Sequence, residues 1–164
     1  MLNFKELNGK EEDDAWFNLP VQFPRPLHGK MELASYLASI KLDVKNYYTS
    51  NDPIFYNTTL ENFAIKVFQD ITQIDEEMYA LDWQHQGYAF NPRKTMDKQE
   101  HWNEWIVPIF PNGDYYIFTT KDMQNVWFGH PWQETITLFG EKIINAATMH
   151  FSDLEVINIV PSLT

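Results

Sequence analysis

His130 stands between Gly129 and Pro131, so a residue with a free backbone precedes it and a ring that restricts its own backbone follows it. An imidazole held in a set direction suits a general base or a ligand, and Asp82 and Glu134 are the carboxylates that a hydrolytic site would place beside it. The plainer role is a backbone hydrogen bond that shapes a turn. His130 and Glu134 are separated by a proline and an expected strand, so they do not make the one-face helical ligand pair of a zinc protease. Asp82 and His85, read on one continuous strand, point to opposite faces unless Gly87 bends it, which argues against a dyad. A metal held by His85, His130 and Asp114 would need three strands to converge, and no spacing asks for that. Neither a metal nor another cofactor is expected.

The remaining candidates are binding groups. Arg93, one of two arginines in the chain, offers a two-pronged contact to a carboxylate or phosphate. Asp114 closes the turn sequence Pro111-Asn112-Gly113-Asp114, where a local bond to the backbone is its ordinary role. Trp83, Trp127 and Trp132 carry faces on which a planar ligand stacks, although a buried indole is the commoner use. With His85, Tyr116 and His130 these define an aromatic cleft with polar edges. The chain has no cysteine and only six glycines, none clustered, which excludes thiol nucleophiles and a glycine-rich phosphate loop.

Composition narrows the partners. Twelve basic residues against 23 acidic ones give a formal net charge of −11, which repels a phosphate backbone and excludes nucleic acid as a ligand. Such a field steers a basic protein partner instead, or simply keeps the surface solvated. No apolar run is long enough to span a bilayer, and the cysteine-free composition suits a reducing cytoplasm, so a cytoplasmic protein with no membrane partner is expected. Aromatic residues make up 16% of the chain, more than an ordinary core uses, so some rings are expected in a cleft or an interface.

The elements that position these groups follow from spacing. Acids and prolines within residues 1–29 predict an extended N-terminal arm, tacked down by Trp16, Phe17, Leu19, Val21 and Phe23. Residues 30–75 read as a helical segment. A short helix over 30–41 is followed, after a break at Pro53, by a longer one over 59–74, whose start is a capping box of Thr58 with Glu61 and whose stripe is Leu60, Phe63, Ala64, Val67, Phe68, Ile71 and Ile74. Residues 78–140 read as the sheet. One strand covers 78–90, with Gly87 marking a bulge or a close backbone approach, and a hairpin about Pro111–Asp114 joins residues 105–110 to 115–118. A further strand is expected over 134–139, and a helix over 141–150. The apolar, β-branched tail, within 151–164, suits an edge strand. Together these predict one α+β domain over residues 1–164, a mainly antiparallel sheet of four or five strands with helices packed on one face.

Several blocks in order then carry a resemblance: Ala80-Leu81-Asp82-Trp83-Gln84-His85, Phe90-Asn91-Pro92, Pro111 through Phe118, Gly129-His130-Pro131-Trp132 and Phe139-Gly140-Glu141. Over residues 78–145 the chain resembles the bacterial domain-of-unknown-function family 2716. The resemblance implies a small α+β bacterial protein and assigns no activity. The function expected from the residues is a non-catalytic, acidic, aromatic-rich binding domain for a basic protein, as in a toxin-neutralising immunity protein, or for a small planar ligand. The alternative is a small hydrolase that uses His130 in the aromatic cleft.

Overall fold

Alternation along three consecutive strands decides the architecture. The computed structural model describes residues 1–22, 34–48, 53–154 and 158–161. In chain order its elements are β1 (Lys5–Glu6), α1 (Gly9–Asn18), β2 (Val21–Gln22), β3 (Ala34–Ser35), β4 (Ser39–Asp43), α2 (Lys45–Tyr48), α3 (Pro53–Ile71), β5 (Met78–Asp82), β6 (Tyr88–Phe90), β7 (Tyr116–Thr120), β8 (Val126–His130), β9 (Thr135–Phe139), α4 (Glu141–His150) and β10 (Asn158–Pro161). Every residue of β7, β8 and β9 is buried. Successive side chains of a strand leave on opposite faces, so these strands must be covered twice.

The fold is α+β, built on an open antiparallel sheet in the order β1-β6-β5-β7-β8-β9-β4-β10, with β2 and β3 forming a separate pair. On one face Met78, Ala80, Phe118, Trp127, Ile136 and Leu138 pack with Leu60, Phe63, Val67, Phe68 and Ile71 of α3 and Ile143 and Ala147 of α4. On the other, Leu81, Ile117, Val126, Phe128 and Phe139 meet Leu7, Ala15 of α1 and Val21. The expected four or five strands are thus eight, and helices lie on both faces rather than one. The short edge strands β1 and β10 and the second core under α1 make the difference.

The N-terminal stretch expected as an extended arm contains a helix. Asn8 caps α1: its side chain accepts from the Glu11 amide at 3.0 Å, and the Glu11 carboxylate accepts from the Asn8 amide at 3.0 Å. That reciprocal pairing satisfies two of the donors a helix start leaves orphaned. Val21 is buried and Trp16 and Leu19 pack against the second core, but Phe17 faces solvent. Phe23 lies outside the described residues.

The helix expected over 30–41 is also corrected, because β3 and β4 occupy 34–35 and 39–43; residues 30–33 lie outside the described part. Ile40 and Leu42 alternate with Ser39, Lys41 and Asp43, a strand period, and β4 is hydrogen-bonded on one side to β9 and on the other to β10. Two ladders outweigh a marginal helical propensity.

Helix α3 starts earlier than its stripe suggests, with Pro53 at the first helical position, where its missing N–H costs nothing. Thr58 and Glu61 therefore sit inside the helix and form no cap. At the other end the helix stops at Ile71, leaving Ile74 exposed. Arg93 donates to the carbonyls of Gln69, Thr72 and Gln73 at 2.6–2.8 Å, and Lys142 donates to that of Ile71 at 2.9 Å. Two cations thus close the carbonyl end, where the helix dipole also favours positive charge.

The single strand expected over 78–90 is two strands, β5 and β6, folded back on each other. Residues 83–87 make the turn, and α1 holds it: the Gly87 amide donates to Glu12 Oε1 at 2.9 Å, and Gln86 Nε2 donates to the Leu7 carbonyl at 2.8 Å. A Cβ at Gly87 would stand 3.1 Å from the Glu12 carboxylate, so glycine gives that carboxylate room to approach the backbone. The expected hairpin about Pro111 is not formed, since β7 has only two edges and β5 and β8 fill them. Trp105, Val107 and Ile109 do alternate inward, but they pack on the α3 face of the core outside the sheet ladders.

Val67 is fully buried beneath α3. Val67→Ala should lower stability by about 1–3 kcal/mol through lost contacts and a residual cavity; an unchanged urea midpoint would show that the stripe does not pack as described.

Candidate functional site

Buried strands can offer polar groups only where they end. Asp82 is the last residue of β5, Tyr116 opposite it is the first of β7, and Gly129 and His130 close β8, so one end of the sheet gathers most of the candidate residues. Gly129 permits the arrangement. A Cβ there would lie 3.2 Å from Pro111 Cβ and 3.3 Å from the Tyr116 carbonyl, so glycine lets the segment carrying Asp114 lie close across β8 without displacing it.

Because residues 83–87 turn rather than continue a strand, His85 swings back over Asp82. Its Nδ1 donates to Asp82 Oδ1 at 3.0 Å and stands 3.9 Å from Asp114 Oδ2. Asp82 and Asp114 are only 8% and 9% exposed, and a carboxylate oxygen of each lies within 4.8 Å of the other. Asp82 Oδ1 also accepts the Gln84 amide at 3.2 Å, and Asp114 Oδ1 accepts the Tyr115 amide at 2.7 Å. The expected opposition of Asp82 and His85 is therefore overturned: the dyad forms through a turn.

Burial pushes the Asp114 carboxyl up from the ordinary aspartate value, and the neighbouring Asp82 carboxyl raises it further. A neighbouring negative charge disfavours the ionised form of Asp114, so its carboxyl holds a proton more readily than an ordinary aspartate. His85 is raised by its hydrogen bond to Asp82, which stabilises the imidazolium. The three groups present one ligand atom each within 4.8 Å of one another. They are the described residues best placed to hold a divalent cation, with two hard oxygens and one imidazole. His130, placed in that trio by the sequence reading, is replaced by Asp82.

His130 is buried on the α1 face, with its ring centroid 5.1 Å from that of Tyr115. Its Nδ1 accepts the Gln133 amide at 3.1 Å, which puts the ring proton on Nε2. Burial holds its pKa below the ordinary histidine value, so the neutral form persists. It shapes the turn from β8 to β9. Glu134 contributes to that turn through its backbone, with φ +54° and its carbonyl accepting the Val44 amide at 2.9 Å. Trp132, at the turn, is 79% exposed. Trp83 packs edge-on between Trp16 and Tyr115, Trp127 is core, and Tyr116 donates to Asn112 Oδ1 at 3.2 Å. Arg93 lies away from this end, on α3.

A second feature carries no sequence signal, because its parts are distant in the chain. A cleft of about 410 Å³ opens between α1, β5 and the β7–β8 turn; Glu11, Asp14, Tyr36, Tyr79, Lys121 and Asp122 are among its lining residues. Lys121 is drawn to Glu77 at 3.0 Å, and its Nζ lies 5.4 Å from the centre of the Tyr79 ring. The cleft is thus acidic and edged by tyrosines, one of which already carries an ammonium group on its face.

The family model for "Protein of unknown function (DUF2716)" matches residues 6–144. The chain belongs to that family. The match runs through α1, the cleft residues of β5 and of the β7–β8 turn, and the Asp82–His85–Asp114 cluster alike. The chain is 47% identical over 96 residues to "Uncharacterized protein YxiI" of Bacillus subtilis (strain 168), a stretch that covers 58% of this chain and 59% of that relative. No solved structure matches the chain. Among the described residues no helix is long and apolar enough to cross a membrane.

The carboxyl pair makes a signed prediction. With its pKa raised, Asp114 stabilises the fold fully below the ordinary aspartate value, and that contribution is lost as pH rises through the raised value. Asp114→Asn keeps an acceptor for the Tyr115 amide and adds a donor toward Asp82. Its stability relative to wild type should therefore improve between pH 4 and pH 7 in urea titrations, whereas a constant difference would show that the two carboxyls do not interact.

Proposed function

We propose that this protein is a non-catalytic binding domain for a basic protein, and that the acidic, tyrosine-edged cleft beside α1 is where it takes a cationic side chain. The observation that carries the reading is the composition of that cleft. Glu11, Asp14 and Asp122 supply negative charge, Tyr36 supplies a ring face, and Tyr79 already has the lining lysine, itself turned toward Glu77, over its ring. Each acid has a local task as well: Glu11 closes the α1 cap, Asp14 meets Lys10 and Asp122 holds its turn. A carboxylate has about four acceptor positions, so these bonds leave capacity for an incoming donor. Exposed Phe17 and Tyr36 add apolar surface of the kind that anchors an interface. The net charge of −11 speeds encounter with a basic partner without fixing where it docks. Neutralising a basic toxin is the form of this role that best suits so acidic a chain.

A second reading, hydrolysis, has one observation in its favour. The Asp114 carboxyl, raised toward its protonated form, stands with Asp82 beside a solvent-exposed imidazole, which is an acid–base arrangement. On this reading the chemistry belongs to the carboxyl pair and His85. His130 has its Nδ1 engaged by the turn and is a weaker base than the sequence alone suggests.

Titrating isotope-labelled protein with nona-arginine and nona-lysine peptides tests the binding reading. Shifts should concentrate on Glu11, Asp14, Tyr36, Tyr79 and Asp122, and the association rate should fall as salt screens the field over about 8 Å. Glu11→Gln with Asp14→Asn should slow association more than it speeds dissociation. Shifts spread evenly over the acidic surface, or none, would sink the proposal.

A further inference from the structure

Glu61 is a carboxylate in the wrong place. It lies on α3 and is 4% exposed, and no lysine or arginine among the described residues is hydrogen-bonded to it. Asn57, one helical turn earlier, donates from Nδ2 to Glu61 Oε1 at 3.2 Å and to the Asn103 carbonyl at 3.4 Å. The second of these contacts fixes which end of the amide is the nitrogen, because a flipped amide would set oxygen against a carbonyl. Amide and carboxyl therefore meet along one edge. The other oxygen of each, Asn57 Oδ1 and Glu61 Oε2, is buried without a donor among the described residues.

Two orphaned acceptors, on an amide and a carboxyl already joined by one hydrogen bond, have a common remedy. A proton on Oε2 turns one of them into a donor and gives the other a partner, whereas an ionised carboxyl leaves both unsatisfied in a site closed to water, a costly state. The cover over this pair is a short hairpin, residues 97–106. It is closed by the Gln99 amide donating to the Glu104 carbonyl at 2.9 Å and the Ile106 amide to the Asp97 carbonyl at 3.1 Å. It is anchored inward by buried Trp105 and displays exposed Trp102.

We propose that Glu61 is a proton-operated latch: protonated at Oε2, it joins Asn57 in a two-pronged acid–amide pair beneath the 97–106 hairpin, and ionised, it frees that hairpin to admit water. The charged groups that face it come from the hairpin itself. Lys98 favours the ionised form and Glu104 opposes it, but desolvation outweighs both, and the group titrates at about 7 instead of 4.5. Lys98 is further occupied by Asn103 Oδ1 at 2.8 Å. The sign follows: the pair stabilises the closed hairpin fully below the ordinary glutamate value, and that support is lost as pH rises through about 7. The latch is independent of the binding cleft, which lies against the opposite face of the sheet.

The test is a titration of the Glu61 side-chain carboxyl by carbon NMR, together with hydrogen exchange of the Gln99 and Ile106 amides in the full chain. The expected midpoint is near 7. Between the ordinary glutamate value and that midpoint, hairpin opening should grow by roughly tenfold per pH unit after correction for intrinsic exchange, and it should level off above the midpoint. Glu61→Gln supplies a permanent donor to Asn57 Oδ1 and should abolish that extra dependence while keeping the hairpin protected. An ordinary glutamate midpoint overturns the proposal, as does a midpoint near 7 with no change in hairpin protection. An exchange profile in E61Q that still follows wild type also overturns it.

Discussion

The burial of β7, β8 and β9 on both faces is the constraint on which the rest depends. A strand with no exposed residue needs a layer on each side, so α3 and α4 cover one face while α1 and the chain around Leu7 and Val21 cover the other. Polar groups are then pushed to the strand ends, where turns can satisfy them. Asp82, Asp114 and His130 sit at one such end for that reason, and Asp122 and Asn125 at the opposite one. Asn125 shows the same economy: its side chain accepts the Ile143 amide at 3.0 Å and so closes the start of α4.

Which parts of this were legible in the sequence depends on whether the signal is local. The stripe from Leu60 to Ile71 is local, since three- and four-residue steps suffice to identify an amphipathic helix, and its residues are buried. The alternation of residues 116–118 and 135–139 is local too. The Asn8–Glu11 cap was equally readable, but the prolines at 20, 24 and 26 drew the whole stretch toward an extended reading. Ile40 and Leu42 carry a strand period embedded in helix-forming residues, and only pairing with β9 and β10 resolves it. The turn at 83–87 has no proline or Asn-Gly pair. It is made by Glu12 and Leu7, some eighty positions away, and so the Asp82–His85 contact was hidden with it. The cleft was illegible for the same reason in stronger form, being assembled from α1, a loop, β5 and a turn.

The basic residues explain why so much acid is left over. Arg93 and Lys142 are spent on the carbonyl end of α3, Lys5 and Lys121 both serve Glu77, and Lys66 serves Asp153. In each case the cation ties two elements together, and such exposed pairs add little stability apiece. What they do is remove cations from the pool that could neutralise the surface. The acidic excess is therefore carried by groups such as Glu11, Asp13 and Asp14 on α1, where it is seen by an approaching partner at distances within a Debye length.

Not all the acids contribute to that field equally. Glu61 and Asp114 are raised by burial and so hold protons more readily than their type suggests, whereas Glu77, hydrogen-bonded first to Lys5 and then to Lys121, is lowered. The formal charge of −11 thus counts groups of different kinds. A change of pH near neutrality acts on the raised and buried carboxyl of Glu61 and on the histidines, His85 among them. Glu61 and the α1 cleft lie on opposite faces of a sheet whose central strands are closed on both sides. Steering by the acidic face and titration within the α3 layer are therefore separable properties of one chain, set by which side of the sheet each carboxyl was folded against.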